Sequence, residues 1–461
     1  METETVTEIK ILCPTGHLAT VPFEEESFYK GLEKDPDFIC ADSGSSDIGP
    51  QPFGSDKSLS QREFQKHDLE HMLLASRDRD IPMIIGSASD TGSDEGVDGF
   101  LEIIEEIAAE YNLGEFTVAA IHSEVDKDVL LKKIDEGEDI DGLNNRDKLT
   151  KEIINNSRRV LGAVGVDPYI EALDQGADVI IAGRSVDPAI FAAPAIWSGI
   201  PEGVAYSSGK ILECASLLAE PYAGKESVLG TIRSDEAIFE SMCDYQRATP
   251  ESVSAHAMYE RANPYIEKVP RGELDMSECV YESVDEERTR VSGAKFETSN
   301  KPSIKLEGVK KVGERALMMI GIRDPYLIEN MDQLLDWSRD TVSKKTDNGD
   351  DDYQLHYHVY GLNGVMGELE PSGEKSHEVG IAVEAIADTK ETANKLAFMA
   401  GMSFFYVRVE GAKASSGNMA PISREAMQMN PAYEWTINHV VEVDDPMELC
   451  DMKLKTMEDQ Q

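Results

Sequence analysis

An α/β fold, with a parallel-sheet N-terminal domain and a mixed α+β C-terminal domain, is predicted by three observations. Over roughly the first two hundred residues, strand-like and helix-like segments alternate. Several strand-like segments are continuous Ile/Val/Ala runs, the pattern of strands covered on both faces. Three of these runs break into loops of small residues and carboxylates, and open α/β sheets bind ligands outside the carboxyl ends of their strands. Periodicity alone does not separate a closed barrel from an open sheet; the open, doubly wound arrangement is the expectation.

In chain order the predicted strands are Ile9–Cys13, Asp37–Ala41, Pro82–Gly86, Thr117–His122, Val160–Val164 and Val179–Ala182. The predicted helices between and after them are Glu24–Glu33, Gln61–Arg77, Gly99–Tyr111, Lys127–Ile134, Pro168–Gln175 and Pro188–Trp197. In the third helix Leu101, Ile104, Ile107 and Ala108 fall on one stripe. In the last, Pro188 suits a first turn whose N–H has no partner inside the helix. The acidic stretch Asp135–Asp147 reads as an exposed loop, and Val204–Leu218 as a helix. From Asp275 the pattern shifts to short alternating strands: Val280–Ser283, Thr289–Ser292, Ile304–Leu306 and Ala316–Ile322. A charged linker, Ser343–Asp352, precedes strands Gln354–Gly361 and Glu378–Ala387, helix Thr389–Gly401 and a strand at Phe404–Val409. The expected domains are residues 1–270, carrying the strand-end loops, and 271–461.

Charge is the outlier of the composition. The 461 residues hold 88 Asp and Glu against 44 Lys and Arg, a formal net charge of −44 spread along the chain. A hydrophobic fraction of 41%, with many periodic apolar runs, argues against disorder. Such acidity reads as adaptation to a high-salt, halophilic cytoplasm, where screening relieves self-repulsion, the alternative being an acidic mesophilic protein. Nucleic-acid binding is disfavoured by the sign of the charge. The six cysteines are scattered without a CxxC pair, which suits a reducing compartment and offers no zinc framework. There is no signal-peptide pattern at the N-terminus and no apolar run near the roughly 20 residues of a membrane span, so a soluble cytoplasmic protein is expected.

The three loops supply the candidate chemistry. Loop one, Asp42-Ser43-Gly44-Ser45-Ser46-Asp47, sets two carboxylates among hydroxyls. Paired carboxylates can divide acid and base roles, or hold Mg²⁺ together with substrate oxygens; the competing reading is turn and helix capping. Loop two contains Gly86, Ser87, Ser89, Asp90 and Thr91 between strand and helix, a setting in which backbone N–H groups hold an anion. It lacks a Walker lysine and GxGxxG spacing, so neither an NTPase nor a dinucleotide site is supported. Loop three brings Arg184, Ser185 and Asp187. Arg184 is a bidentate partner for a carboxylate or phosphate, unless it only pairs with Asp187 to fix the loop.

His122, ending the fourth strand beside Glu124, is a candidate general base. Asp167 closes the next strand and fits equally a helix N-cap. His356 and His358 are two apart on a strand, but lack a third metal ligand nearby. His67 and His71 share a helix face beside Asp68 and Glu70 that reads as solvated. The loop Ala412–Asn418 is a candidate either for covering the crevice or for holding a substrate tail, Asn418 in particular. Cys40 is flanked by apolar residues and carboxylates, which argues against a thiolate nucleophile.

Together the segments resemble the acyclic terpene utilisation (AtuA-like) family over nearly the whole chain. The resemblance is carried by DSGSSDIGP (Asp42–Pro50), IGSASDTG (Ile85–Gly92), IAGRSVDPAIFAAP (Ile181–Pro194) and SGKILEC (Ser208–Cys214). It continues in RVSGAKF (Arg290–Phe296), KLEG (Lys305–Gly308), GIRDP (Gly321–Pro325), YGLNGVMG (Tyr360–Gly367) and YEWTINHVVEVD (Tyr433–Asp444). It implies a role in catabolism of branched or terpenoid acids through CoA thioesters, and carries over no catalytic residues.

The expected function is therefore catabolism of a branched, terpenoid or small organic acid, with a lyase or hydro-lyase acting on a carboxylate or acyl-CoA. Asp42, Asp47, His122, Arg184 and Asp187 are the candidate catalytic residues. Ser45, Ser46, Gly86, Ser87, Ser89, Asp90, Thr91, Ser185 and Asn418 are the candidates for binding substrate or an anion. No metal ligand is assigned; Mg²⁺ held by Asp42 and Asp47 is compatible with the loop, and a metal-dependent hydrolase is a third alternative. A small-molecule partner is expected, with a homo-oligomer or a small partner subunit both compatible. The alternative is a non-catalytic subunit that binds acyl-CoA or a partner protein within a multi-protein enzyme.

Overall fold

The protein is described here by a computed structural model covering residues 8–55, 57–261, 263–346, 352–413 and 416–458. The expected linker 343–352 and loop 412–418 fall partly outside the described residues. The chain forms a mixed α/β protein that divides into two compact units, residues 1–310 with 435–461 and residues 311–434. The sequence-based boundary near residue 270 lies inside the first unit.

In that unit β1 (Glu8–Cys13) leads to α1 (Glu25–Leu32) and β2 (Phe38–Gly44), every residue of which is buried. Short α2 (Pro50–Ser55) and long α3 (Arg62–Arg79) precede β3 (Met83–Asp90) and α4 (Asp94–Tyr111). Then follow β4 (Phe116–His122), α5 (Lys127–Asp135), a two-residue β5 (Asp141–Gly142), α6 (Lys151–Asn156) and β6 (Arg159–Ala163). Helix α7 (Asp167–Asp174), β7 (Val179–Ala182), α8 (Asp187–Trp197) and α9 (Glu202–Leu212) complete the alternating region. Predicted and observed helices agree within a few residues; α4 starts five residues early because Ser93 caps it, accepting from the Gly96 N–H. The predicted helix Val204–Leu218 instead ends at Leu212 and tightens into a 3-10 turn over Ala215–Leu218.

One open sheet of ten strands organises the unit. Its centre is parallel in the order β1-β2-β3-β7-β4. Antiparallel strands extend it beyond β1 through Val228–Arg233, Glu236–Ser241, Arg288–Ser292 and Val280–Ser283, and beyond β4 through Asp451–Met457. Side chains alternate along the central strands, so both faces are apolar and both carry helices. Ile11, Cys40, Ile84, Ile121 and Ile180 pack beneath α7, α8 and α9. Leu12, Ile39, Ile85, Val118 and Ile181 pack against α1, α3 and α4. Gly86 permits the close approach on the first face: a Cβ there would sit 2.2 Å from Ile190 Cδ1.

Two sequence expectations need correction. Val160–Val164 was expected among the parallel strands, yet β6 pairs antiparallel with Lys305–Val309 and meets loop three through a bridge between Val164 and Ser185. The strands expected at Ile304–Leu306 and Ala316–Ile322 are a single strand, Ser303–Ile322, whose polar middle residues, Lys310 to Arg315, continue the ladder. The second unit contains the latter half of that strand, antiparallel to Val379–Ala387, which in turn pairs with Tyr353–Tyr360. Helices Met331–Ser343 and Lys390–Ser403 cover its apolar face. Phe404–Val409 is not a strand: Phe404–Tyr406 forms a 3-10 turn, with Phe404 buried in that core.

Candidate functional site

The strand ends of β2, β3 and β7 bring loops one, two and three into direct contact. Asp42, at the end of β2, accepts hydrogen bonds from the Ser43 N–H at 2.9 Å and the Gly44 N–H at 3.4 Å. The Ser87 hydroxyl also bonds to it, and the same oxygen accepts from Arg184 Nη1 at 3.0 Å. Arg184 is 5% exposed. Its Nε donates to Glu307 at 2.9 Å and its Nη1 also reaches Asp187 at 3.4 Å. Lys305 Nζ, two residues back on the strand paired with β6, holds the other Glu307 oxygen at 2.6 Å. A second buried pair stands nearby on α9, where Lys210 Nζ donates to Glu213.

Burial and mutual repulsion set the protonation of these carboxyls. Burial pushes Asp42 well above the usual carboxylate range, and the facing Asp187 pushes it further, against the pull of Arg184. Asp187 and Glu213 are raised chiefly by burial as well. Burial would also raise Glu307, but Arg184 and Lys305 hold it down at about 2. One carboxylate, Glu307, is thus held ionised as the counter-ion of Arg184, while Asp42 is held towards its protonated form by burial and the facing Asp187.

Two cavities share Asp187. The larger, about 520 Å³, is lined by Asp42, Asp47, Asp187 and Glu213 and by the apolar or aromatic Val21, Leu217, Tyr222 and Tyr259. Lys225 also lines it, its ammonium lowered by burial. The smaller, about 250 Å³, is lined by Arg184, Ser185, Asp187, Lys268, Lys305 and Glu307. Paired acids stand on one side of Asp187 and a concentration of cations on the other.

The remaining candidates fall elsewhere or have local partners. Asp47 is exposed at the rim of the larger cavity, and its N–H bonds to Ser45 Oγ, so Ser45 caps the turn that contains Ser46. Asp90 is filled by protein donors: the Leu59 N–H, the Ser60 N–H and hydroxyl, the Ser58 hydroxyl and His17. Ser89 accepts from Gln65, and Thr91 exchanges bonds with Ser93 at the start of α4. The N–H groups of Ser87, Thr91 and Gly92 go to protein carbonyls. Ser185 bonds to Tyr169 at 2.6 Å and to the Gly183 carbonyl.

His122 pairs with Asp98 at 3.0 Å and lines a different depression, with Asp94 and Glu124. Asn418 belongs to the second unit, where it donates to the Val407 carbonyl. His356 and His358 bind separate partners, Gln354 and Glu384.

Lys210, Glu213, Lys305 and Glu307 escaped the residue-by-residue reading. Their signal was present: each is a charge inside an apolar run, in SGKILEC and KLEG, and such charges must find partners when the run is buried.

Among curated proteins and among solved structures no match is found. A family model described as "Acyclic terpene utilisation family protein AtuA" matches residues 9–234 and 236–440. With nearly its whole length matched, the chain belongs to the acyclic terpene utilisation family AtuA.

Proposed function

We propose that the protein is an enzyme of acyclic terpenoid acid catabolism, a lyase or hydro-lyase acting on a carboxylate or acyl thioester at the wall shared by Asp42 and Asp187. The family's description supplies the metabolic setting. The observation that carries the reaction class is the Asp42–Asp187 pair, raised by burial and facing one cavity beside a fixed guanidinium. Two facing carboxyls, both raised and Asp42 the more so, can divide the acid and base roles that a hydration–elimination step needs. Asp187 as carboxylate takes the proton from the carbon next to the carbonyl, and Asp42 as acid gives its proton to the departing hydroxyl. Water leaves, a C=C bond forms, and the pair keeps one proton. Arg184, Lys305 and Lys268 hold the anionic end of the substrate in the smaller cavity. The branched chain lies against Leu217, Tyr222 and Tyr259.

The test is proton exchange. The full chain is incubated in deuterated buffer with branched hydroxy acids, unsaturated acids and their CoA thioesters, and deuterium at the carbon beside the carbonyl is read by mass spectrometry. Exchange that falls by about 10²–10⁴ in Asp187→Asn supports the reading. Absence of exchange with every acid and thioester overturns it in favour of a subunit that only binds.

A further inference from the structure

We propose that Glu25, His67 and His71 form a binding site for one divalent transition-metal ion, with zinc the best match to its ligands. The site is separate from both cavities and does not depend on the proposed reaction. His67 and His71 are four apart on α3, so their imidazoles project from one helix face. Glu25 meets them from the first turn of α1. One carboxylate oxygen, Oε1, lies 3.3 Å from His67 Nε2 and 3.7 Å from His71 Nε2, and the three ligand atoms lie within 4.8 Å of one another. Metal bonds of about 2.0–2.1 Å in tetrahedral geometry place neighbouring ligand atoms about 3.3 Å apart. The 3.3 Å separation also closes a hydrogen bond between His67 Nε2 and Glu25 Oε1, which a bound ion would replace.

The outer partners point the same way. His67 Nδ1 lies 2.9 Å from Asp68, a wholly buried carboxylate that already accepts the Phe23 and Ala19 N–H groups. Asp68 can only accept from the ring, which places the proton on Nδ1 and turns the lone pair of Nε2 towards Glu25. The Tyr29 hydroxyl engages His71 Nδ1 at 2.7 Å. Imidazoles oriented by a carboxylate and a hydroxyl on their far nitrogens are the usual outer shell of a metal site. Glu25 is exposed, so a fourth position is open to water. The sequence reading of His67 and His71 as a solvated face is met only in part, since both rings are half-buried. The ion would pin α1 to α3, and Asp68 carries that tie to Ala19, two residues beyond the cavity-lining His17.

The full chain, stripped with chelator and dialysed, is titrated with CoCl₂ and followed by visible absorption, then by displacement with ZnCl₂. One equivalent of cobalt, released by zinc, and a melting temperature that rises with ZnCl₂ are expected. His67→Ala and His71→Ala should abolish both effects. Glu25→Gln, at an exposed position, should keep the fold and weaken cobalt by at least the roughly 10–100-fold that loss of an outer partner costs. Asp47→Asn should titrate like wild type. Failure of the wild type to bind cobalt at micromolar concentration, or unchanged titration in Glu25→Gln and His71→Ala, overturns the site.

Discussion

At the scale of single residues, Asp42 and Glu307 both feel the charge of Arg184 and answer to pH in opposite directions. Asp42 is raised in the folded protein, so folding takes up a proton there and stability is lost as pH climbs above the ordinary carboxylate value. Asp42→Asn removes that loss. Thermal melts from pH 4 to 8 should therefore shift progressively in the variant's favour, even as loss of the hydroxyl as water slows; a constant difference across pH would deny that the Asp42 pKa is raised. Glu307 is depressed to about 2, so its contribution is present above the usual glutamate value near 4.5 and is lost as pH falls towards 2. Glu307→Ala leaves the Arg184 guanidinium buried without its main counter-ion. A destabilisation of about 3–5 kcal/mol by chemical denaturation is expected, against little change if the pair were solvated.

At the scale of elements, α8 and α9 transmit packing to the site, because Asp187 opens α8, Lys210 lies in the last turn of α9 and Glu213 caps its end. A Cβ on Gly209 of α9 would stand 2.3 Å from the Pro188 carbonyl oxygen, one residue past Asp187. Gly209→Ala should cost about 1–3 kcal/mol by overpacking and lower turnover as well. Gly99→Ala on α4, where a Cβ meets nothing within 4 Å, should stabilise by about 0.5–1 kcal/mol. Equal effects on melting temperature would deny that the α8–α9 contact is tight.

The same elements mark how far the sequence could be read. Central strands β2, β3 and β7 and their loops were legible because continuous apolar runs ending in Gly, Ser and Asp are local signals. The antiparallel pairing of β6 with Lys305–Val309 was not, since it joins residues about 150 apart and leaves no local periodicity. Glu307 was missed for that reason: nothing near KLEG names Arg184 as its partner. The grouping of Asp42, Ser87, Arg184 and Asp187 followed from strand-end logic, whereas His122 ends a strand of the same sheet but lines another depression.

At the scale of the whole molecule, salt acts in two directions, and the charge balance decides between them. Ions screen the exposed pairs, such as Arg62–Glu106 and Lys66–Glu110, which contribute little in solvent. They also screen repulsion among the surplus carboxylates, and with 88 acidic against 44 basic residues that repulsion is the larger effect. The melting temperature should therefore rise steeply with KCl up to about 1 M, where the screening length has fallen to about 3 Å. Further gain beyond that point should follow the anion, sulfate exceeding chloride, because exclusion from the surface rather than screening then acts. The buried Arg184–Glu307 pair is largely shielded from bulk ions, so salt should leave its contribution nearly unchanged. A double-mutant cycle on Arg184 and Glu307, run at low and at molar KCl, separates the two effects. A coupling energy that collapses with salt would place the pair in solvent and deny that Glu307 is the buried counter-ion of Arg184.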